Sequence, residues 1–294
     1  MAYDLPISYP WEVGMNADDD VTQHYTRGNL EEQILSALRA TGVDPEHFST
    51  TDLRGADELH IGGVEAAEDL ARGAGITGGM RVLDVGCGLG GPARLFAERF
   101  SATVVGVDLT PEFIEVARSL TERTSLMDRV TFLCGRALEL PFEAAEFDVA
   151  TMLHVGMNIA DKAAVFAQVA RVLKPGGVFA IYDVMQLGTG DPDFPLPWTT
   201  DPRSSFVVSP LAYSDALEAA GFEVESERNR RTFGVEFLER AAVRAAGAGP
   251  AALGLPLVLG SNAGPRMANL LAAFRAGLLA PVEIFARRSA TAPA

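Results

Sequence analysis

Val82-Leu83-Asp84-Val85-Gly86-Cys87-Gly88-Leu89-Gly90-Gly91 runs from an apolar strand signal straight into a cluster of glycines, with a helical stretch from Ala93 to Arg99 behind it. Glycines between a strand and a helix let a ligand approach the main chain closely, against the positive end of the helix. Here they satisfy two templates. Gly86, Gly88 and Gly91 fit the pattern G-x-G-x-x-G, with Asp108 placed 22 residues beyond Gly86 as its acidic partner. Gly86, Gly88 and Gly90 fit G-x-G-x-G, with Asp84 two residues ahead. The glycines alone do not choose between them.

Outward from this turn, apolar runs alternate with helical stretches. Strands are expected over Arg81–Val85, Thr103–Val107, Val130–Leu133, Phe147–Met152 and Val178–Val184, with helices over Glu112–Arg123 and Lys162–Leu173 between them. Strands this apolar, interleaved with helices, imply an α/β fold with a mostly parallel sheet covered on both faces. The handedness of crossovers then selects a doubly wound, Rossmann-like arrangement.

The flanks differ in character. Residues 1–20 read as an irregular, Pro-rich and then acidic arm, with Asp18, Asp19 and Asp20 as a solvated face. From Val21 to about Arg72 the pattern is helical: Leu30, Ile34, Leu35 and Leu38 share one face, and a further helix spans Val64–Ala74. Residues 1–75 are thus an arm and helical cap on a domain covering 76–294. Beyond Val184 a proline-rich connector, 185–209, precedes a helix over Leu211–Ala220 and a strand over Phe222–Ser226. A helical excursion over 233–278 then separates that strand from a closing strand, Pro281–Ala286. An excursion of this length between two late strands is read as a lid or as an oligomer contact, such as that of a homodimer. Ala245 to Pro265 carries no charge over about the length of a bilayer span. Pro250, Pro256, Pro265 and five glycines would break a spanning helix, so this stretch is read as a pocket-covering segment.

The 294 residues carry 24 Lys plus Arg and 39 Asp plus Glu, a net charge of −15. Such an excess repels phosphate backbones and anionic membrane surfaces, leaving small molecules or proteins as partners and excluding nucleic acid. Cys87 and Cys134 make no disulfide framework, which fits a reduced, cytoplasmic setting. The first residues lack the basic-then-apolar pattern of a signal peptide. No cluster of His, Asp, Glu or Cys has metal-ligand spacing, so no metal is expected.

The glycine turn and the segments downstream of it resemble one family. Val82 to Gly90, then Val105-Gly106-Val107-Asp108-Leu109-Thr110, then Leu140-Pro141-Phe142, Phe147-Asp148-Val149 leading to His154, and Arg171-Val172-Leu173-Lys174-Pro175-Gly176-Gly177 are similar to the successive motifs of class I S-adenosylmethionine-dependent methyltransferases. The resemblance covers residues 80–185 and implies a seven-stranded sheet with S-adenosylmethionine as cofactor. It also implies roles. Gly86, Gly88 and Gly90 would line the methionine and ribose portion, Asp108 would accept from the ribose hydroxyls, Leu109 would pack on the adenine, and Asp84 would sit near the ammonium group. Many members carry an acid where this chain has Arg136; arginine offers no acceptor, which leaves the adenine to the backbone of Arg136 and Ala137. Leu153 to Lys162, Ile181 to Met185, Phe194 to Trp198, Gln23-His24-Tyr25 and Glu58 to Gly63 look like small-molecule enzymes of the sarcosine/dimethylglycine and ubiquinone/menaquinone types.

Methyl transfer from a sulfonium needs orientation and, for a protonated nucleophile, a base. His154 stands just past the fourth strand at the edge where open sheets bind ligands, and a histidine with its pKa of about 6.5 has a neutral fraction to serve. The plainer alternative is a ring that fills space while its backbone meets the cofactor. His60 and Tyr25 are further catalytic candidates, and either is equally a cap residue bonded to backbone; for His24 the latter is preferred. Met157, Asn158 and Trp198 are candidate substrate contacts or ordinary packing. The expected function is methyl transfer to a small molecule, nitrogen favoured over oxygen or carbon. Two rivals stand beside it: a nicotinamide-dependent oxidoreductase, and a protein of this fold doing non-methylating chemistry as a cyclase, isomerase or binding module.

Overall fold

Residues 10–248 and 253–290 are described by a computed structural model of the chain. Four helices come first: α1 (Pro10–Tyr25), α2 (Leu30–Ala40), α3 (Thr50–Asp57) and α4 (Gly63–Gly73). The sheet then alternates with helices as β1 (Arg81–Val85), α5 (Gly91–Phe100), β2 (Thr103–Asp108), α6 (Pro111–Arg123), β3 (Val130–Cys134), β4 (Phe147–Leu153), α7 (Lys162–Val172) and β5 (Leu173–Gln186). After α8 (Pro210–Ala219) and β6 (Phe222–Asn229), three helices, α9 (Arg231–Ala248), α10 (Leu255–Leu259) and α11 (Ala263–Arg275), lead to β7 (Leu279–Arg288).

The seven strands lie in the order β3-β2-β1-β4-β5-β7-β6. The first five are parallel; β7 runs antiparallel between β5 and β6. Because β1 leads outward to β2 and β3 while β4 leads the other way, the order reverses between β1 and β4. Loops leaving the carboxyl ends of these two strands diverge there and open a crevice, the usual ligand position in such sheets. The glycine turn after β1 and His154 after β4 both stand at that crevice.

Apolar strands bury both faces, as their composition dictates. One face packs Phe96, Val104, Ala117 and Phe132 against Leu70 of α4, and the other packs Phe166, Val169, Phe179 and Ile181. The outer edge, β6, carries Glu223, Glu225 and Glu227, charges that discourage pairing with another strand. A separate apolar cluster joins Leu30, Ile34 and Leu38 of α2 to Leu53, Phe113 of α6 and Val258 of α10. The cap, the sheet domain and the C-terminal helices are therefore packed on one another.

Three local expectations change. Residues 10–20 are helical where an arm was expected; their charges give no apolar period, so the helix is hidden from a pattern-based reading. Helix α3 was not anticipated, although Ser49 and Asp52 form its capping box, Ser49 N and Oγ donating to the Asp52 carboxylate at 2.8 and 2.7 Å. Strand β5 begins at Leu173, five residues early, and its register with β4 shifts between Phe147 and Val149. Of the uncharged stretch 245–265, residues 249–252 lie outside the described residues; among those described, no helix is long and apolar enough to cross a membrane.

Candidate active site

The turn after β1 is fastened to β2 by its own backbone. Gly86 and Cys87 donate N–H bonds to the Val107 carbonyl at 2.7 and 3.1 Å, and Gly88 N donates to Asp108 Oδ2 at 2.9 Å. Gly86 and Gly88 sit at φ +71° and +54°, the left-handed region that L side chains avoid. A Cβ on Gly86 would strike Val155, whereas a Cβ on Gly88 would meet nothing nearer than Leu59 Cδ1 at 3.7 Å. Gly88 is therefore the point where the main chain faces open cavity. Gly90 stands outside the cavity wall; a Cβ there would strike the Phe132 ring. Gly91, third glycine of the rival template, lies against the Asp57 carbonyl.

Two carboxyls flank the turn. Asp108 accepts from Gly88 N through Oδ2 and from Thr110 N through Oδ1, both at 2.9 Å. Each oxygen retains a lone pair for a further donor. Asp84 is buried; its Oδ1 accepts from Thr151 Oγ1 at 2.8 Å while its Oδ2 has no partner. Burial pushes the Asp84 carboxyl up to about 7, against the Thr151 hydrogen bond and with help from Asp108. Burial also raises Asp108, opposed by its backbone donors.

On the opposite wall His154 is held at φ +54°, an uncommon conformation for a non-glycine residue, with its N–H donating to the Tyr182 carbonyl at 2.7 Å. Its Nε2 is buried and unpartnered. The His60 ring lies 6.0 Å away, centroid to centroid, and His60 Nε2 donates to the Gly63 carbonyl at 3.1 Å. Burial lowers the His60 imidazole to about 4; burial and then His60 drive His154 well below the ordinary histidine range. Both rings are uncharged at neutral pH. Glu58 completes the cluster: its buried Oε2, without a hydrogen bond, lies 3.5 Å from His60 Nε2, and burial with the neighbouring Asp57 carries its carboxyl well above the usual range.

A cavity of about 1050 Å³ joins these groups. It brings together His154, His60, Tyr25, Asp84, Gly86, Gly88, Asp108, Leu109, Arg136, Ala137, Met157, Asn158 and Trp198; of the residues expected to meet cofactor or substrate, Gly90 is left behind the wall. Tyr25 packs on Phe113 at 5.6 Å, and burial raises its phenol to about 12. Met157 and Trp198 are nearly closed off, Trp198 Nε1 donating to Ser205 Oγ at 3.0 Å. Asn158 Oδ1 has no partner. His24 lies outside the lining and bonds the Pro197 carbonyl at 3.0 Å, the backbone role preferred for it.

Two lining residues escape a reading of the sequence. Glu58 belongs to the stretch Glu58–Gly63, but an acid beside a histidine carries no spacing signature. Asp18, expected on a solvated face, is instead half-buried and paired with Arg136 Nε at 2.6 Å, while Asp19 and Asp20 are exposed. Asp18, Val21 and Tyr25 stand three and four residues apart and all line the cavity, a helical face that could have been found by that spacing.

The turn fits S-adenosylmethionine. The unpartnered Asp84 oxygen suits its ammonium, the free lone pairs of Asp108 suit two adjacent hydroxyls, and the open face of Gly88 leaves room for the chain between them. A diphosphate would meet two carboxyls at the same place.

Comparison with known proteins agrees. A family described as a methyltransferase domain matches residues 83–181. Erythromycin 3''-O-methyltransferase of Saccharopolyspora erythraea is 38% identical over 179 residues, 56% of this chain and 58% of that protein. Sterol 24-C-methyltransferase erg6 of Aspergillus fumigatus is 38% identical over 126 residues, 43% of this chain and 33% of that protein. The chain thus spans less than two thirds of these relatives' length. Among solved structures, a geranyl diphosphate methyltransferase in complex with GPP and sinefungin superposes with a TM-score of 0.69 at 20% identity, covering 93% of this chain and 99% of that one, which speaks to the fold. Residues 83–181 are accordingly a methyltransferase domain, set in the seven-stranded fold of class I S-adenosylmethionine-dependent methyltransferases.

Proposed function

We propose that the chain transfers a methyl group to a protonated heteroatom of a small molecule, oxygen before nitrogen, with His154 as the base. The observation that carries this is the unpartnered, buried Nε2 of His154, held by a left-handed backbone at the crevice edge opposite the glycine turn. Bound at that turn, S-adenosylmethionine supplies a methyl carbon made electrophilic by its sulfonium. The chain's part is to hold that carbon in line with the acceptor and to take the acceptor's proton. The acceptor–carbon bond forms as the carbon–sulfur bond breaks, the electron pair stays on sulfur, and the acceptor's proton passes to an imidazole that starts neutral.

Burial of His60 and His154 supports this assignment in one respect: a ring whose pKa is pushed down is unprotonated across the physiological range and so free to act, while its strength as a base falls with its pKa. The order of acceptor atoms is drawn from the relatives: they are named as an O- and a C-methyltransferase, and a carbon acceptor carries no acidic proton for such a base. The nitrogen preference drawn from sequence resemblance gains no support from those names. Incubation of the protein with S-adenosylmethionine labelled in its methyl group, and then mass spectrometry of a pool of alcohols, phenols and amines, tests the reading. Label on oxygen is the expected result. Turnover to S-adenosylhomocysteine with no labelled acceptor, or label confined to carbon, would contradict it.

A further inference from the structure

The cavity extends far beyond the cofactor turn. Pockets for one drug-sized ligand run from roughly 300 to 1000 Å³, so about 1050 Å³ lies at the top of that range, and its lining runs well past the residues of the cofactor turn. The extra space lies under α9, α10 and α11. Every lining residue from these helices and the turn before α10 is uncharged except Arg244, which is exposed. The wall is carbon, from Phe237, Leu238, Leu255, Val258 and Leu271. Ala241 of α9 is half-buried, and Ala242 and Ala245, exposed like Arg244, leave the space open at its mouth with minimal side chains.

Two arginines line the wall elsewhere: Arg54, half-buried, whose charge favours the ionised carboxyls of Asp57 and Glu58, and Arg136. Arg136 is held by Asp18, and no lysine lines the cavity among the described residues. An anionic acceptor would find Arg54 already in the field of Asp57 and Glu58, and would approach Asp84 and Asp108. A cationic one would find no carboxylate among the described lining residues of the helices that cover it, Glu236 and Glu239 of α9 standing outside the lining. At the inner end the polar groups are Glu58, His60 and His154, two of them with buried atoms lacking partners.

Resting on the function proposed above, we infer that the acceptor is an uncharged, bulky and largely apolar alcohol or phenol, seated under α9–α11 with its hydroxyl directed to Glu58, His60 and His154. Apolar burial drives its binding, and the unpartnered polar atoms fix its one reacting end. The three helices then act as a lid whose inner surface reads hydrophobic bulk and rejects charge.

The test uses the full chain saturated with S-adenosylhomocysteine, titrated by calorimetry with two matched pairs, estradiol against estradiol 3-sulfate and farnesol against farnesyl diphosphate, and with sarcosine. At least one neutral probe is expected to bind at least tenfold more tightly than its anionic partner, with sarcosine silent. Ala242→Trp is expected to weaken that probe at least tenfold while S-adenosylhomocysteine affinity stays within twofold; Ala245→Phe serves if the first variant does not fold. Equal or tighter binding of an anion, binding of sarcosine, silence of both neutral probes, or neutral binding untouched by the filled cavity would overturn the inference and leave the cofactor reading intact. Failure of S-adenosylhomocysteine itself to bind would overturn both.

Discussion

Asp84 shows how one buried carboxyl ties the site to pH. Its Oδ2 has no partner and burial holds its pKa near 7, so in the free protein it is partly protonated at neutral pH. An ammonium held by Asp84, the role proposed for it, requires the ionised form, whose population grows as pH rises through about 7. Cofactor affinity should therefore increase from pH 5.5 to 7.5 with proton release on binding, and Asp84→Asn should flatten the profile and lower affinity at pH 7.5 at least tenfold. Calorimetry in buffers of different ionisation enthalpy reads both. His154 makes the opposite case. With its pKa well below the ordinary range, acidification from pH 8 to 6 leaves it neutral, so turnover at saturating cofactor should show no descending limb near 6.5. His154→Ala should reduce turnover at least tenfold with cofactor affinity nearly unchanged; unaltered turnover would remove it as base. Both residues are legible in the sequence, Asp84 by its place before the glycines and His154 by its place after β4. Glu58 is not, because a carboxyl two residues before a histidine carries no spacing signature and only the fold buries it there, 3.5 Å from His60 Nε2.

The turn Gly156–Asn158, which carries Met157 and Asn158 into the cavity, is anchored from below. Asp183 of β5 accepts from Gly156 N at 2.7 Å and from Tyr213 Oη of α8 at 2.6 Å, entirely out of solvent, and burial carries it up to about 6. Tyr213→Phe removes one donor from a buried carboxyl and should cost about 1–3 kcal/mol of stability, read by urea denaturation. Because the same carboxyl positions the turn, KM for the acceptor should rise more than cofactor affinity falls. An unchanged midpoint and unchanged KM would show that the anchor is incidental. Elements are readable from sequence where apolar period is strong, as in α2 and β2. They are hidden where a helix gets its stability from partners, as α1 does through the Asp18–Arg136 pair and the packing of Tyr25 on Phe113.

At the scale of the molecule, cap and sheet are joined by a buried ion pair. Arg94 of α5, fully enclosed, donates to Asp57 of α3 at 2.8 Å, and also to Thr121 Oγ1 and the carbonyl of Leu89. Asp57→Ala leaves that guanidinium without its counter-charge and should cost about 3–5 kcal/mol, lowering the unfolding midpoint by roughly 6–15 °C. Cap and sheet should melt together in a single transition, whereas two separated transitions in calorimetry would make the cap an independent unit. The doubly wound sheet can be read from the alternation of strands and helices, since each strand's burial is written in its own composition. The insertion of β7 between β5 and β6 cannot, because strand order depends on partners distant in sequence. The central claim is that the turn at 86–90, backed by the carboxylate at 108, grips S-adenosylmethionine. Titration calorimetry of the unmodified chain and of Asp108→Ala with S-adenosylmethionine and with NAD tests it most directly. One site for S-adenosylmethionine, weakened at least tenfold by the substitution and with NAD silent, is the expected result; binding of NAD at that site, or affinity for S-adenosylmethionine indifferent to Asp108, would contradict it.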